Sequence, residues 1–154
     1  MRSFASLDEL AGAVGERLGP GAWFPIDQRR VDLFADATDD HQWIHLDQER
    51  AAAGPYGGTI AHGYLTLALL PALVGRLYRV DGVRMGVNYG LNRVRFPAPV
   101  RVGTSVRVVA TIDQVSPFEG GAQLVTTVTV DGDGGGKPVC VAETVSRLYV
   151  DAPR

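Results

Sequence analysis

The chain has 154 residues, 45% of them hydrophobic and 21% charged, the profile of one folded domain with a substantial core. A formal net charge of −2 offers no general attraction to nucleic acid or to an anionic membrane, so neither is expected as a partner. The single cysteine, Cys140, excludes an intrachain disulfide framework and fits a reducing, cytoplasmic setting, and Met1 to Leu18 lacks the apolar stretch of a signal peptide.

Residues 6–18 carry Leu7, Leu10, Ala11, Val14 and Leu18 at helical spacing, with Ser6 and Glu9 set as a capping box. Gly19-Pro20-Gly21 ends that helix, and Trp23 to Ile26 is read as a short strand. Val31, Phe34, Ala35 and Thr38 predict a second amphipathic helix from Gln28 to about Asp39. Asp40 to Gly58 is read mostly as loop, with a helical turn over 48–53. A long buried helix is expected from about Gly63 to Val80, apolar nearly all round and kinked at Pro71. Its most apolar part, Ile60 to Val74, is too short for a membrane span.

The second half is strand-like, and Val100 to Ile112 alternates with a period of two. Strands are expected over Val83–Phe96, Val100–Ile112, Gln123–Val130 and Val139–Val150, the last two joined by a turn over 131–136. Short connections imply an antiparallel arrangement. The expected class is α+β, an antiparallel sheet wrapped around one long central helix. Such a sheet leaves edges and a face uncovered, so a homodimer is expected.

The richest chemistry lies in Asp40-His41-Gln42-Trp43-Ile44-His45 and in Ile60-Ala61-His62-Gly63-Tyr64. Asp40 and His45 are too far round a helix to share a face, so they converge only if the chain leaves the helix between them. Asp39 and Asp40 sit at a helix C-terminus, against the macrodipole. Burial there would raise the Asp40 pKa and suit it to carry a proton. The plainer alternative is that Asp40 caps a loop and His45 is a core histidine. Gly63 in the first turn of a buried helix admits a developing oxyanion at its N–H, or merely a close neighbour. His41 and His45 would suit zinc only on a continuous helix, and no metal site is expected. Cys140 lies in an apolar run and is read as structural.

Residues 34–47 and 54–64, with the run Asn88 to Phe96 followed by Pro99-Val100, resemble the hydratase-2 motif of MaoC-like dehydratases, and most closely the single-domain members similar to nodulation protein N. The resemblance covers most of residues 20–150. It implies one hotdog domain over 1–154 and an (R)-specific trans-2-enoyl-CoA hydratase, a hydro-lyase. It implies Asp40 and His45 as catalytic pair and Gly63 as the amide that binds the thioester carbonyl. Gln42, His62 and Tyr64 are expected to position these groups or the substrate, and Arg93 and Arg95 to meet coenzyme A phosphates. The partner is then an acyl-CoA substrate. No cofactor is expected, because coenzyme A belongs to that substrate. The sequence departs from the family at Gln42, where asparagine is frequent, at Trp43, where proline is common, and at Asp39, where glycine is common. A hotdog thioesterase and a non-catalytic acyl-CoA-binding subunit are the alternative readings.

Overall fold

The structure, a computed structural model, describes residues 1–150. Positions 151–154 of the expected domain lie outside the described residues. The first third forms β1 (Arg2–Phe4), α1 (Leu7–Gly12), β2 (Arg17–Leu18), β3 (Phe24–Pro25) and α2 (Gln28–Thr38). At α1 the Ser6 hydroxyl accepts from the Glu9 N–H, and the Glu9 carboxylate accepts from the Ala5 N–H. These reciprocal bonds satisfy donors that a helix start leaves free. The helix stops at Gly12 and does not run on to Leu18. There the sheet captures the backbone: Gly15 donates to the Ile112 carbonyl, and Arg17 and Leu18 pair with Thr111 and Ala110.

Between α2 and the sheet lie α3 (Trp43–Leu46), α4 (Gln48–Ala52), α5 (Gly63–Ala68) and α6 (Leu70–Val74), followed by β4 (Tyr78–Val80). The short α3 falls where loop was expected. The expected long helix is instead two short ones that break between Ala68 and Leu70. Pro71 has no N–H to return to the Leu67 carbonyl, so the helical ladder loses a rung at that point. Tyr78–Val80 leaves the helix altogether and pairs in parallel with β1.

Four long strands follow: β5 (Val83–Arg95), β6 (Ser105–Phe118), β7 (Gly121–Gly132) and β8 (Cys140–Val150). They form an antiparallel sheet in the order β2-β6-β7-β8-β5, with β3 also on β6. Its inner face contributes Val106, Val108, Ile112, Leu124 and Val128 to one core with Leu65, Leu70 and Leu73 of the helices. The expected strand Val100–Ile112 begins only at Ser105, because Gly103 turns the chain with φ at +89°. Val100 and Val102 still pair, but with the segment before α5. The Val100 carbonyl accepts from the Ala61 N–H at 2.8 Å, and the Val102 N–H donates to the Thr59 carbonyl at 2.9 Å. That clamp fixes the approach to Gly63. At the other end of the sheet, β5 is an unpaired edge that exposes Met85, Val87, Tyr89 and Leu91.

No helix among the described residues is long and apolar enough to cross a membrane. Cys140 is fully buried, and that burial pushes its thiol up to about 11. In the folded protein at pH 7.5, iodoacetamide is expected to leave Cys140 unmodified over an hour and to alkylate it fully in guanidinium. Mass spectrometry that finds rapid labelling of the native chain contradicts this packing.

Candidate active site

Helix α2 delivers the acid. Asp27 caps its start by accepting from the Arg30 N–H. At its end Asp39 adopts the left-handed conformation, φ +59°. This left-handed residue is what takes the chain out of the helix, and it turns Asp40 back toward α3. Asp40 itself is exposed, not buried as expected. One turn of α3 then places His45, 6% exposed, at the edge of the core.

Two hydrogen bonds cross-link this segment to the one that leads into α5. The His45 Nδ1 lies 2.7 Å from the Ile60 carbonyl, and the His62 Nε2 lies 2.9 Å from the Asp40 carbonyl. A carbonyl only accepts, so each of these nitrogens carries its proton. In neutral His45, Nε2 is then left as the basic lone pair. Further ties support the pair. The Ile60 N–H donates to the Ile44 carbonyl, and the Gln28 side chain donates to the His45 carbonyl while accepting from the Thr59 hydroxyl.

The two imidazoles stack, with centroids 3.7 Å apart, and Phe34 covers His62 at 5.0 Å. A ligating atom from each of Asp40, His45 and His62 lies within 4.8 Å of the other two. A water with bonds of about 2.8 Å spans up to about 5.6 Å between two partners, so one molecule fits between acid and imidazole. Zinc fits less well, because near-parallel rings aim their lone pairs side by side and not at a common point.

Gly63 is the first residue of α5, where an N–H has no intrahelical acceptor and the helix end is partly positive. A Cβ on Gly63 would come within 2.9 Å of the Phe96 ring, so glycine is required for the ring and the backbone to approach. Tyr64 is 71% exposed and meets Phe96 edge-on at 6.1 Å. Gln42 is exposed at the start of α3 and makes no side-chain capping bond.

The structure therefore gathers Asp40, His45, His62 and Gly63, with Tyr64 beside them. Arg93 and Arg95 are not brought there. They line a shallow depression with Thr127, Val141 and Glu143, on the sheet face opposite the buried Thr126 and Val128. Sequence reasoning missed Phe96, Phe34, Gln28 and the Ile60 carbonyl. Phe96 and Phe34 were visible only as apolar positions, and a carbonyl has no residue signature.

Burial pushes the His45 pKa below its ordinary value. The Ile60 carbonyl opposes that shift, the neighbouring His62 adds to it, and Asp40 opposes it. The unfolded chain thus takes up the His45 proton first, near pH 6.5. The stability linked to this group is present above that pH and is lost as pH falls toward the folded value. In a ¹⁵N NMR titration, His45 is expected to turn over below pH 6.5, and lower still in Asp40→Asn. A midpoint above 6.5 in the native chain contradicts the burial of this ring.

Comparison with known proteins agrees with this architecture. The model of the MaoC like domain matches residues 9–133. The chain is 54% identical over 148 residues to 3-hydroxyacyl-thioester dehydratase Z of Mycobacterium tuberculosis, covering 96% of this chain and 98% of that one. It is 43% identical over 150 residues to nodulation protein N of Rhizobium leguminosarum bv. viciae, covering 95% and 92%. Among solved structures, the unliganded R-hydratase PhaJ1 of Pseudomonas aeruginosa superposes with a TM-score of 0.73 at 25% identity, over 96% of this chain and 88% of that one. A hotdog sheet, an acid and an imidazole facing a helix N-terminus, and a match along nearly the whole length lead to one conclusion: the chain belongs to the MaoC-like dehydratases, a family of hydro-lyases.

Proposed function

We propose that the protein catalyses the reversible syn addition of water to a trans-2-enoyl-CoA, giving an (R)-3-hydroxyacyl-CoA. The observation that carries this reading is the meeting of Asp40 and His45 within one water's reach, at the same end of the core as the Gly63 amide. In hydration, a water held by the pair gives its hydroxyl to C3 and its other proton to the pair, and the pair delivers one proton to C2, so that it ends as it began. The thioester oxygen gains negative charge as C3 is attacked, and the Gly63 N–H with the helix dipole stabilises it. The reaction needs an acid, a base and an oxyanion donor, all supplied by the chain. Coenzyme A enters as part of the substrate. A cleft of about 380 Å³ opens between α6 and the sheet, lined by Leu70, Val74, Val87, Val128 and Leu148 together with Asn88, Thr126, Thr144 and Ser146, and none of Asp40, His45, His62 or Gly63 lines it.

The names of the relatives, 3-hydroxyacyl-thioester dehydratase and R-hydratase, support this reaction class. Purified protein with crotonyl-CoA is expected to remove the enoyl absorbance and form the (R) product, without free thiol. Asp40→Asn and His45→Gln are each expected to lower kcat at least about 100-fold while keeping the wild-type circular dichroism. Release of thiol would instead establish a thioesterase, and binding without turnover an acyl-CoA-binding subunit.

The protein works as a cytoplasmic homodimer in this reading. The edge of β5 offers unpaired backbone groups flanked by Tyr89, 58% exposed, and Leu91. An antiparallel second copy would continue the sheet and cover these side chains. Sedimentation is expected to give twice the chain mass, and Tyr89→Lys with Leu91→Lys to give the monomer. A monomeric wild type at micromolar concentration would refute the dimer.

A further inference from the structure

His62 is the most deeply buried ionisable side chain of the site, 2% exposed, yet the reaction above assigns it no step. Three of its contacts reach the three working parts. Its Nε2–H donates to the backbone carbonyl of Asp40. Its ring lies against His45 at 3.7 Å. Its own backbone caps α5, one residue before Gly63. On its other side Phe34, from the helix that leads to Asp40, packs at 5.0 Å.

The fourth feature is a cost. The His62 Nδ1 is buried and has no hydrogen-bond partner. A purely apolar ring would fill the same space without leaving an acceptor unsatisfied, and leaving one unsatisfied is destabilising. A phenylalanine would serve better if packing were the only demand. The imidazole is explained by what its N–H does for Asp40 and what its ring does for His45.

We propose that His62 is a positioning residue for the hydration reaction. Its N–H holds the Asp40 backbone while its ring braces the face of His45, so that acid and base keep one geometry opposite Gly63. This rests on the assignment of Asp40 and His45 as the reacting pair. It adds that the pair is held from outside, by a group that never touches the substrate. The same contact sets the charge environment of His45. Among the described residues, the titratable groups that act on His45 are His62, which disfavours its cation, and Asp40, which favours it.

Two variants separate positioning from packing. His62→Phe keeps a flat ring against His45 and Phe34 but removes both nitrogens. His62→Gln keeps an N–H for the Asp40 carbonyl but removes the ring. In His62→Phe, kcat is expected to fall roughly 10–100-fold with KM within about twofold, as for other groups that orient catalytic residues. The acid limb of kcat/KM and the NMR midpoint of His45 should move together to higher pH, because the neighbour that disfavours the His45 cation is lost and an aromatic face attracts the imidazolium. In His62→Gln, kcat should recover in part while the His45 midpoint stays raised. The NMR reading needs no substrate. If the wild type hydrates nothing but the His45 midpoint still moves, the reaction fails and the bracing contact stands. An unchanged His45 midpoint in both variants overturns the proposal, whatever happens to kcat. So does a His62→Phe enzyme with wild-type kcat. Should His62→Phe fail to fold, His62→Gln alone reports the same midpoint.

Discussion

The structure depends on a reciprocal exchange of side chains and carbonyls between two segments that are distant in sequence. His45, from the segment that follows α2, gives its Nδ1–H to the carbonyl of Ile60. His62, from the segment that precedes α5, gives its Nε2–H to the carbonyl of Asp40. Each segment supplies one imidazole and one acceptor, and the rings meet face to face between the two bonds. A side chain held by one bond can still swing about it. Two crossed bonds and a stack remove that freedom, and such prior ordering lets a water be held in a reactive position.

This arrangement also reconciles burial with proton transfer. A histidine placed among apolar groups loses its charge more readily, and His45 does so. Its proton stays on Nδ1 because the Ile60 carbonyl offers no other role, so Nε2 is free for the water. Asp40 stays exposed, so the carboxylate keeps its hydration until substrate arrives. The pair thus consists of an imidazole inside the rim of the core and a carboxylate outside it. The departure of Asp39 from the family's common glycine has a structural answer as well. The position requires a left-handed backbone, and aspartate is among the few other residues that adopt it at modest cost.

Much of this was legible in the residues. Strands β6 and β7 and helix α2 followed from periods of two and 3.6, because one face of each is buried and the other is not. The convergence of Asp40 and His45 was legible from the end of the amphipathic pattern, which announced that the chain turns there. The length of the central helix was misjudged, because apolarity says that a segment is buried but not that it stays helical. Tyr78 to Val80 is apolar enough for either fate, and the partner that decides it, β1, lies at the far end of the sequence. The facing of Arg93 and Arg95 was not legible for a related reason. Facing can be counted along a strand only while the ladder is regular, and β5 shifts register between Asn88 and Gly90 and again between Leu91 and Arg93.

Those irregularities fall on the strand at the free edge of the sheet, which pairs on one side only. A bulge locally breaks the ladder and increases twist, which a central strand tolerates poorly because both neighbours must follow. An edge strand has one neighbour to satisfy, so β5 can bend toward Phe96 and bring that ring over Gly63. The ring then lies against the first residue of α5. The hydrogen of the Gly63 amide has no intrahelical partner there. The flexibility of an edge and the electrostatics of a helix start thus act at one residue, and a glycine is the side chain that permits both.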